Sequence, residues 1–304
     1  MARQPILVGV DDSEAARRGF AVAQELARTT GAPCQLVHAV KNPWASSPLP
    51  QGQQAEALDA MLLQAARTRV SAALAPVATA DAIGRMIVRA GRAPEVLNAV
   101  ARELNASLIV IGGKRHTMLG RWFGSSTGHG LARTADRPVL VTASSQEPLR
   151  RVLAAADFSR AGESVVDTAQ DFARMLSGPL RILSVVEPLP VVPEVPTTVD
   201  ADEYYRWAEA DLAARLWPRV TLPQSEKVMR VGQPVETILR EVTDWAADLI
   251  VVGSHGKNAV ERSLLGSVSE GLLNHLPAAL LIVPPVRRPT KGLTPTDALA
   301  HCAV

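Results

Sequence analysis

The residues best suited to chemistry stand together near the carboxyl end of the sequence: Gly253-Ser254-His255-Gly256-Lys257, then Gly266-Ser267-Val268-Ser269. Their skeleton is G-x2-G-x9-G-S. Gly253 and Gly256 carry no Cβ, so backbone there can lie close to a ligand and can take positive φ. Gly266-Ser267 falls where a helical pattern resumes. Free amides and the positive end of the helix dipole suit phosphate there, the dipole contributing roughly 0.3–1 kcal/mol and up to about 2 in sheltered geometry. Ser267 and Ser269 add hydroxyl donors. A second constellation is an apolar run ending in Asp-x-Ser, which occurs twice: Asp11-Asp12-Ser13 and Asp157-Phe158-Ser159.

Other chemistries lack their residues. The sequence holds no G-x-x-x-x-G-K-[ST] loop and no G-x-G-x-x-G after either Asp-x-Ser strand. No nucleophile, base and orienting group combine into a catalytic site. His38, His129, His275 and His301 show no metal-ligand spacing. Cys34 reads as a packed small hydrophobe rather than a nucleophile, and Cys302 as incidental. Trp122 and Phe123 read as loop anchors. Asp11 and Asp157 each precede a helix, and taken singly either could serve only to cap it.

The elements that must position these residues come in two copies. Each Asp-x-Ser is followed by apolar residues at i, i+4, i+7 and i+11: Ala16, Phe20, Ala23 and Ala27, then Val165, Ala169, Phe172 and Leu176. That spacing places them on one helix face. Both helices are expected to stop at glycine, Gly31 and Gly178. A second strand (35–40; 180–186), a Pro-rich loop, a long helix (54–75; 200–216) and a third strand (83–88; 227–231) follow in each copy. Gly91 to Gly112 then aligns without a gap with Gly232 to Gly253. Each copy closes with a helix and a last strand, 139–142 and 280–283. Alternating strands and helices, with unbroken aliphatic strands, predict two similar three-layer α/β domains. Each is an open, mostly parallel five-stranded sheet with helices on both faces. The expected boundaries are 1–146, 147–286 and a tail, 287–304. In such sheets ligands bind beyond the carboxyl ends of the strands.

Composition fits this reading. Hydrophobic residues are 47 % and charged residues 20 %, enough to bury a core, and aromatics are only 4 %, so that core is aliphatic. Two cysteines exclude a disulfide scaffold and a four-cysteine zinc site. No run approaches the roughly 18 apolar residues of a membrane helix, and residues 1–10 lack a signal-peptide pattern. A cytoplasmic location is therefore expected. Net charge is +2, against a dedicated nucleic-acid binder. Residues 1–146 hold 16 basic and 10 acidic side chains, and the remainder 16 and 20, so the halves have opposite sign.

With the repeat, the Asp-x-Ser strands, Ala247-Asp248-Leu249-Ile250-Val251-Val252-Gly253 and the glycine skeleton in place, the sequence resembles a tandem universal stress protein over about residues 4–285. The resemblance implies ATP or AMP in the second copy, with Mg2+ able to accompany ATP. It implies that Asp157 and Val185 meet the adenine end. Gly253, Gly256, Gly266, Ser267 and Val268 would line the ribose and phosphates, with Ser254, His255, Lys257 and Ser269 around them. It also implies pairing of the two domains through their last strands, and association of two chains could follow. The first copy departs from the pattern. Arg115 stands where the second glycine belongs, and Gly112 to Gly124 is one residue shorter than Gly253 to Gly266. Asp11, Gly112, Gly124, Ser125 and Ser126 remain as a degenerate site, expected to bind nucleotide weakly or not at all. The leading functional expectation is a cytoplasmic stress-response protein that binds an adenine nucleotide and acts by regulation. A slow ATPase or phosphoryl-transfer enzyme, and a nucleotide-independent scaffold, are the alternatives.

Overall fold

The computed structural model describes residues 3–41, 53–113, 127–143, 148–189, 200–255 and 265–285. The first half runs β1 (Ile6–Gly9), α1 (Glu14–Thr30), β2 (Cys34–Val40), α2 (Gln53–Leu74), α3 (Ala80–Gly84), β3 (Ile87–Ala90), α4 (Ala93–Glu103), β4 (Leu108–Gly112), α5 (Thr127–Thr134) and β5 (Val139–Thr142). The second runs β6 (Val152–Ala155), α6 (Arg160–Leu176), β7 (Leu180–Val186), α7 (Ala201–Arg215), a 3-10 turn at Trp217–Arg219, β8 (Glu226–Val231), α8 (Pro234–Asp244), β9 (Leu249–Gly253), α9 (Ser267–His275) and β10 (Ala279–Val283).

The strands form one ten-stranded sheet in the order β3-β2-β1-β4-β5-β10-β9-β6-β7-β8. All neighbours are parallel except β5 and β10, which run antiparallel with Val141 opposite Leu280 and Val139 opposite Ile282. Within each half the chain moves outward from its first strand and then returns to the opposite side of it. That reversal opens a crevice between β1 and β4 and between β6 and β9, where an open α/β sheet presents ligand sites.

Strand residues alternate between two aliphatic layers: Ile6 and Val8 pack with Phe20, Val70, Val166 and Leu212, whereas Leu7 packs on the other face with Leu97, Leu131, Ile238 and Leu272. Helices α1, α2, α6 and α7 thus cover one face, and α4, α5, α8 and α9 the other. Each of α1 and α6 starts on a serine cap: Ser13 Oγ accepts from Ala16 N, and Ser159 Oγ from Gly162 N, both at 3.2 Å. Such a cap contributes about 1 kcal/mol.

Two local expectations are corrected. The third strand begins at Ile87 rather than residue 83, because Thr79 caps a short helix there, its side chain accepting from Ala82 N at 3.2 Å. The second copy's first helix ends on Ser177, not on Gly178. Ser177 takes the left-handed conformation (φ 51°), and Gly178 is required for a different reason, since a Cβ there would lie 1.9 Å from the Arg150 carbonyl oxygen.

Candidate functional site

The geometry is set by β6, β7 and β9, whose carboxyl ends face one cavity of about 1080 Å³. Asp157 follows β6 and lines it half-buried. Its Oδ1 accepts from Ser159 N at 3.0 Å and from the Ser159 hydroxyl, so the carboxylate shapes the turn into α6 as well as facing the cavity. Gly162, one turn into α6, lets that helix close on the turn, for a Cβ there would sit 2.0 Å from the Asp157 carbonyl oxygen. Val185, near the end of β7, lines the cavity from the far side.

The loop between β9 and α9 is pinned at both ends. Ser254 N donates to Val283 O (2.8 Å), and Gly266 N donates back to Ser254 O (2.9 Å). The Ser269 hydroxyl, 2 % exposed, donates to Gly253 O at 2.5 Å and ties the helix to the strand end. Gly266 is the α9 N-cap residue and carries no side-chain cap. The amides of the first turn have no intrahelical acceptor by geometry, and they sit beside the cavity. His255 lines the cavity with Nδ1 on Ser254 Oγ (2.8 Å) and Nε2 buried without a partner among the described residues. The free amides of the α9 first turn suit an anion.

Of the residues expected at the site, the structure brings together Asp157, Val185, Gly253, His255, Gly266, Ser267, Val268 and Ser269. Ser254 is 2 % exposed and does not line the cavity; its backbone holds the loop. Gly256, Lys257, Arg115, His116, Trp122, Phe123, Gly124, Ser125, Ser126, Cys302 and the 287–304 tail lie outside the described residues. Sequence reasoning missed Tyr204 and Trp207 of α7, and Pro234 and Ile238 of α8, which complete the walls. The available signal was compositional: both tyrosines of the chain and one of its five tryptophans fall within four residues.

The equivalent cavity in the first half is about 450 Å³. Asp11, Gly112 and the buried His38 line it, and His38 Nδ1 lies 2.6 Å from Val10 O. Two features narrow it. Gly19 lets α1 close on the end of β4, so that a Cβ on Gly112 would lie 2.1 Å from the Ala15 carbonyl oxygen. In the second half Val165 takes the place of Gly19, and a Cβ on Gly253 would find Ala161 Cβ only at 3.5 Å and Val165 Cγ2 at 3.6 Å. In addition, Leu273 and Leu276 reach across from the second half into this cavity, Leu276 over Gly113. Their counterparts in the repeat are Ala132 and Ala135, too short to do the same to the second cavity.

The sequence profile of the Universal stress protein family matches this chain twice, over residues 2–143 and 148–284. A universal stress protein of Mycolicibacterium smegmatis is 27 % identical over 292 residues, spanning 92 % of this chain and 97 % of its own. A putative universal stress protein of Staphylococcus haemolyticus is 28 % identical over 138 residues, 44 % of this chain and 84 % of its own, so one such protein corresponds to about half of this one. Among solved structures, a universal stress protein from Archaeoglobus fulgidus superposes with a TM-score of 0.62 at 18 % identity, covering 93 % of this chain and 98 % of that one.

Proposed function

The chain belongs to the universal stress protein family, and from that premise we propose that its second half binds an adenine nucleotide, ATP or AMP, and acts by regulation in the cytoplasm. The observation that carries this reading is the uncapped amino end of α9 beside a 1080 Å³ cavity at the sheet's switch point. Residues of this chain fit the group at both ends. The first-turn amides of α9 are donors beside the cavity for phosphate oxygens, while Val185 and Ile238 give an apolar seat to a base. Mg2+ would accompany ATP through its phosphate oxygens. The first half, with 450 Å³ and two leucines in the way, takes no nucleotide on this reading.

Ligand at about 100 times its dissociation constant stabilises a fold by about 2.7 kcal/mol. Thermal unfolding with ATP, AMP and GTP is expected to show that stabilisation for the adenine nucleotides. No shift with any of the three defeats the proposal. Calorimetric titration is expected to give one nucleotide per chain, and two would overturn the assignment to the second half alone.

A further inference from the structure

The α7 helix carries an aromatic concentration that the fold does not need. Aromatics are 4 % of the chain, yet Tyr204, Tyr205 and Trp207 stand within four residues. Only Leu212 of α7 is buried, and Trp207 remains 54 % exposed. A single exposed ring is ordinary on a protein surface, but two aromatic side chains at the wall of a cavity offer a ligand a contact surface. Its direction is fixed: Tyr204, Trp207, Ala208 and Asp211 follow the i, i+3, i+4, i+7 spacing of one helix face, and all four line the cavity. The Tyr205 ring meets Tyr204 edge-on, with centroids 5.4 Å apart and planes at 63°. The corresponding helix of the first half, α2, has no aromatic residue in its 22 positions. The aromatic stripe therefore goes with the larger cavity only.

Its place in the fold gives the stripe a partner. The amides of α9 stand at the β9 side of the cavity, whereas α7 follows β7 and stands with Val185 at the opposite side. Strand β6 lies between β9 and β7, so the strand ends from which the two walls rise are two strand spacings apart, about 10 Å, with the walls on opposite faces of the sheet. Both walls line the same cavity, which lets one nucleotide lie with its phosphates on α9 and its base toward α7. We propose that Tyr204 and Trp207 form a stacking wall for the nucleobase, which makes α7 the element that selects a planar ring ligand. This rests on the nucleotide reading above and adds to it residues for the base end.

The test compares ATP with inorganic tripolyphosphate, which has the anion and no base, by calorimetry on the full chain. Stacking on an aromatic side chain is commonly lost with roughly a tenfold or greater weakening. Trp207→Ala is expected to weaken ATP about tenfold and leave tripolyphosphate unchanged, and Trp207→Phe to recover most of the ATP affinity. Equal ATP affinity in wild type and Trp207→Ala overturns the wall. So does a parallel loss of tripolyphosphate, which would make Trp207 a structural support. Wild-type protein that binds ATP no more tightly than tripolyphosphate overturns the wall while the anion cradle stands. Wild-type protein that binds neither overturns both readings.

Discussion

Gly112 and Gly253 occupy the same position in the repeat and answer to different constraints. Gly112 is held by packing, since a Cβ would strike the Ala15 carbonyl at 2.1 Å, while a Cβ on Gly253 meets only a tight contact, His255 O at 3.1 Å, which a shift of a few tenths of an ångström relieves. Overpacking against backbone commonly costs 1–3 kcal/mol. Gly112→Ala is therefore expected to lower stability by about 2–3 kcal/mol in urea denaturation, and Gly253→Ala by less than about 1. Equal losses would show that one constraint governs both. The sequence displayed both glycines as parts of one ligand motif, because spacing alone does not reveal which backbone lies opposite. Asp157 was read as either a helix cap or a ligand contact; the cap is Ser159 instead, as it is Ser13 in the first copy, and Asp157 lines the cavity while accepting from Ser159. Cys34 also matches its sequence reading. Burial pushes its thiol up to about 11, and Sγ lies 3.5 Å from Ala23 O. At pH 8 an ordinary thiol is about one-quarter thiolate, whereas one at this value is ionised on the order of one part in a thousand. In a Cys302→Ser variant, iodoacetamide labelling at pH 8 is expected to be about 250-fold slower than for free cysteine, in proportion to the thiolate fraction, and to accelerate as pH rises toward 11. A rate like that of the free amino acid would contradict this burial.

At the scale of elements, α9 matters most, because its amino end faces the second cavity and its carboxyl end, through Leu273 and Leu276, the first. The tie between Ser269 Oγ and Gly253 O fixes where the amino end points. Removing one partner of a buried hydrogen bond leaves the other unsatisfied at about 1–3 kcal/mol. Ser269→Ala should cost about that much in denaturant and weaken ATP binding, both measurable on one preparation; unchanged stability would show that the tie holds nothing. Leu276 is 2 % exposed, and Leu276→Ala is expected to destabilise by about 2–4 kcal/mol. The pattern of apolar residues gave the order of strands and helices along the chain and most of their ends. It missed α3 and the cap at Ser177, where a threonine side chain and a close backbone approach decided the outcome rather than periodicity. It also missed α7 as a wall of the site. A helix with few buried residues reads as plain surface until its place beside the cavity is known.

At the scale of the whole molecule, both aliphatic layers run through the two halves without interruption, joining Ile6 with Val152 on one face and Leu7 with Leu153 on the other. Shared layers favour cooperative unfolding. Urea denaturation followed by circular dichroism and by tryptophan fluorescence is expected to give coincident single transitions; two resolved steps would mean that each half holds itself together. The doubling was fully legible from the repeat, but the relative size of the two cavities was not, since it depends on leucines sent across the boundary. The antiparallel meeting of β5 and β10 has a last consequence. A lone half would leave that hydrogen-bonding rim open to any second molecule, and here each rim is satisfied by its own sibling. What the sheet still offers to solution is β3 and β8, and these carry Arg89, Glu226, Lys227 and Arg230. Charged rims of this kind resist further strand addition. At these two edges, addition of an eleventh strand is therefore disfavoured.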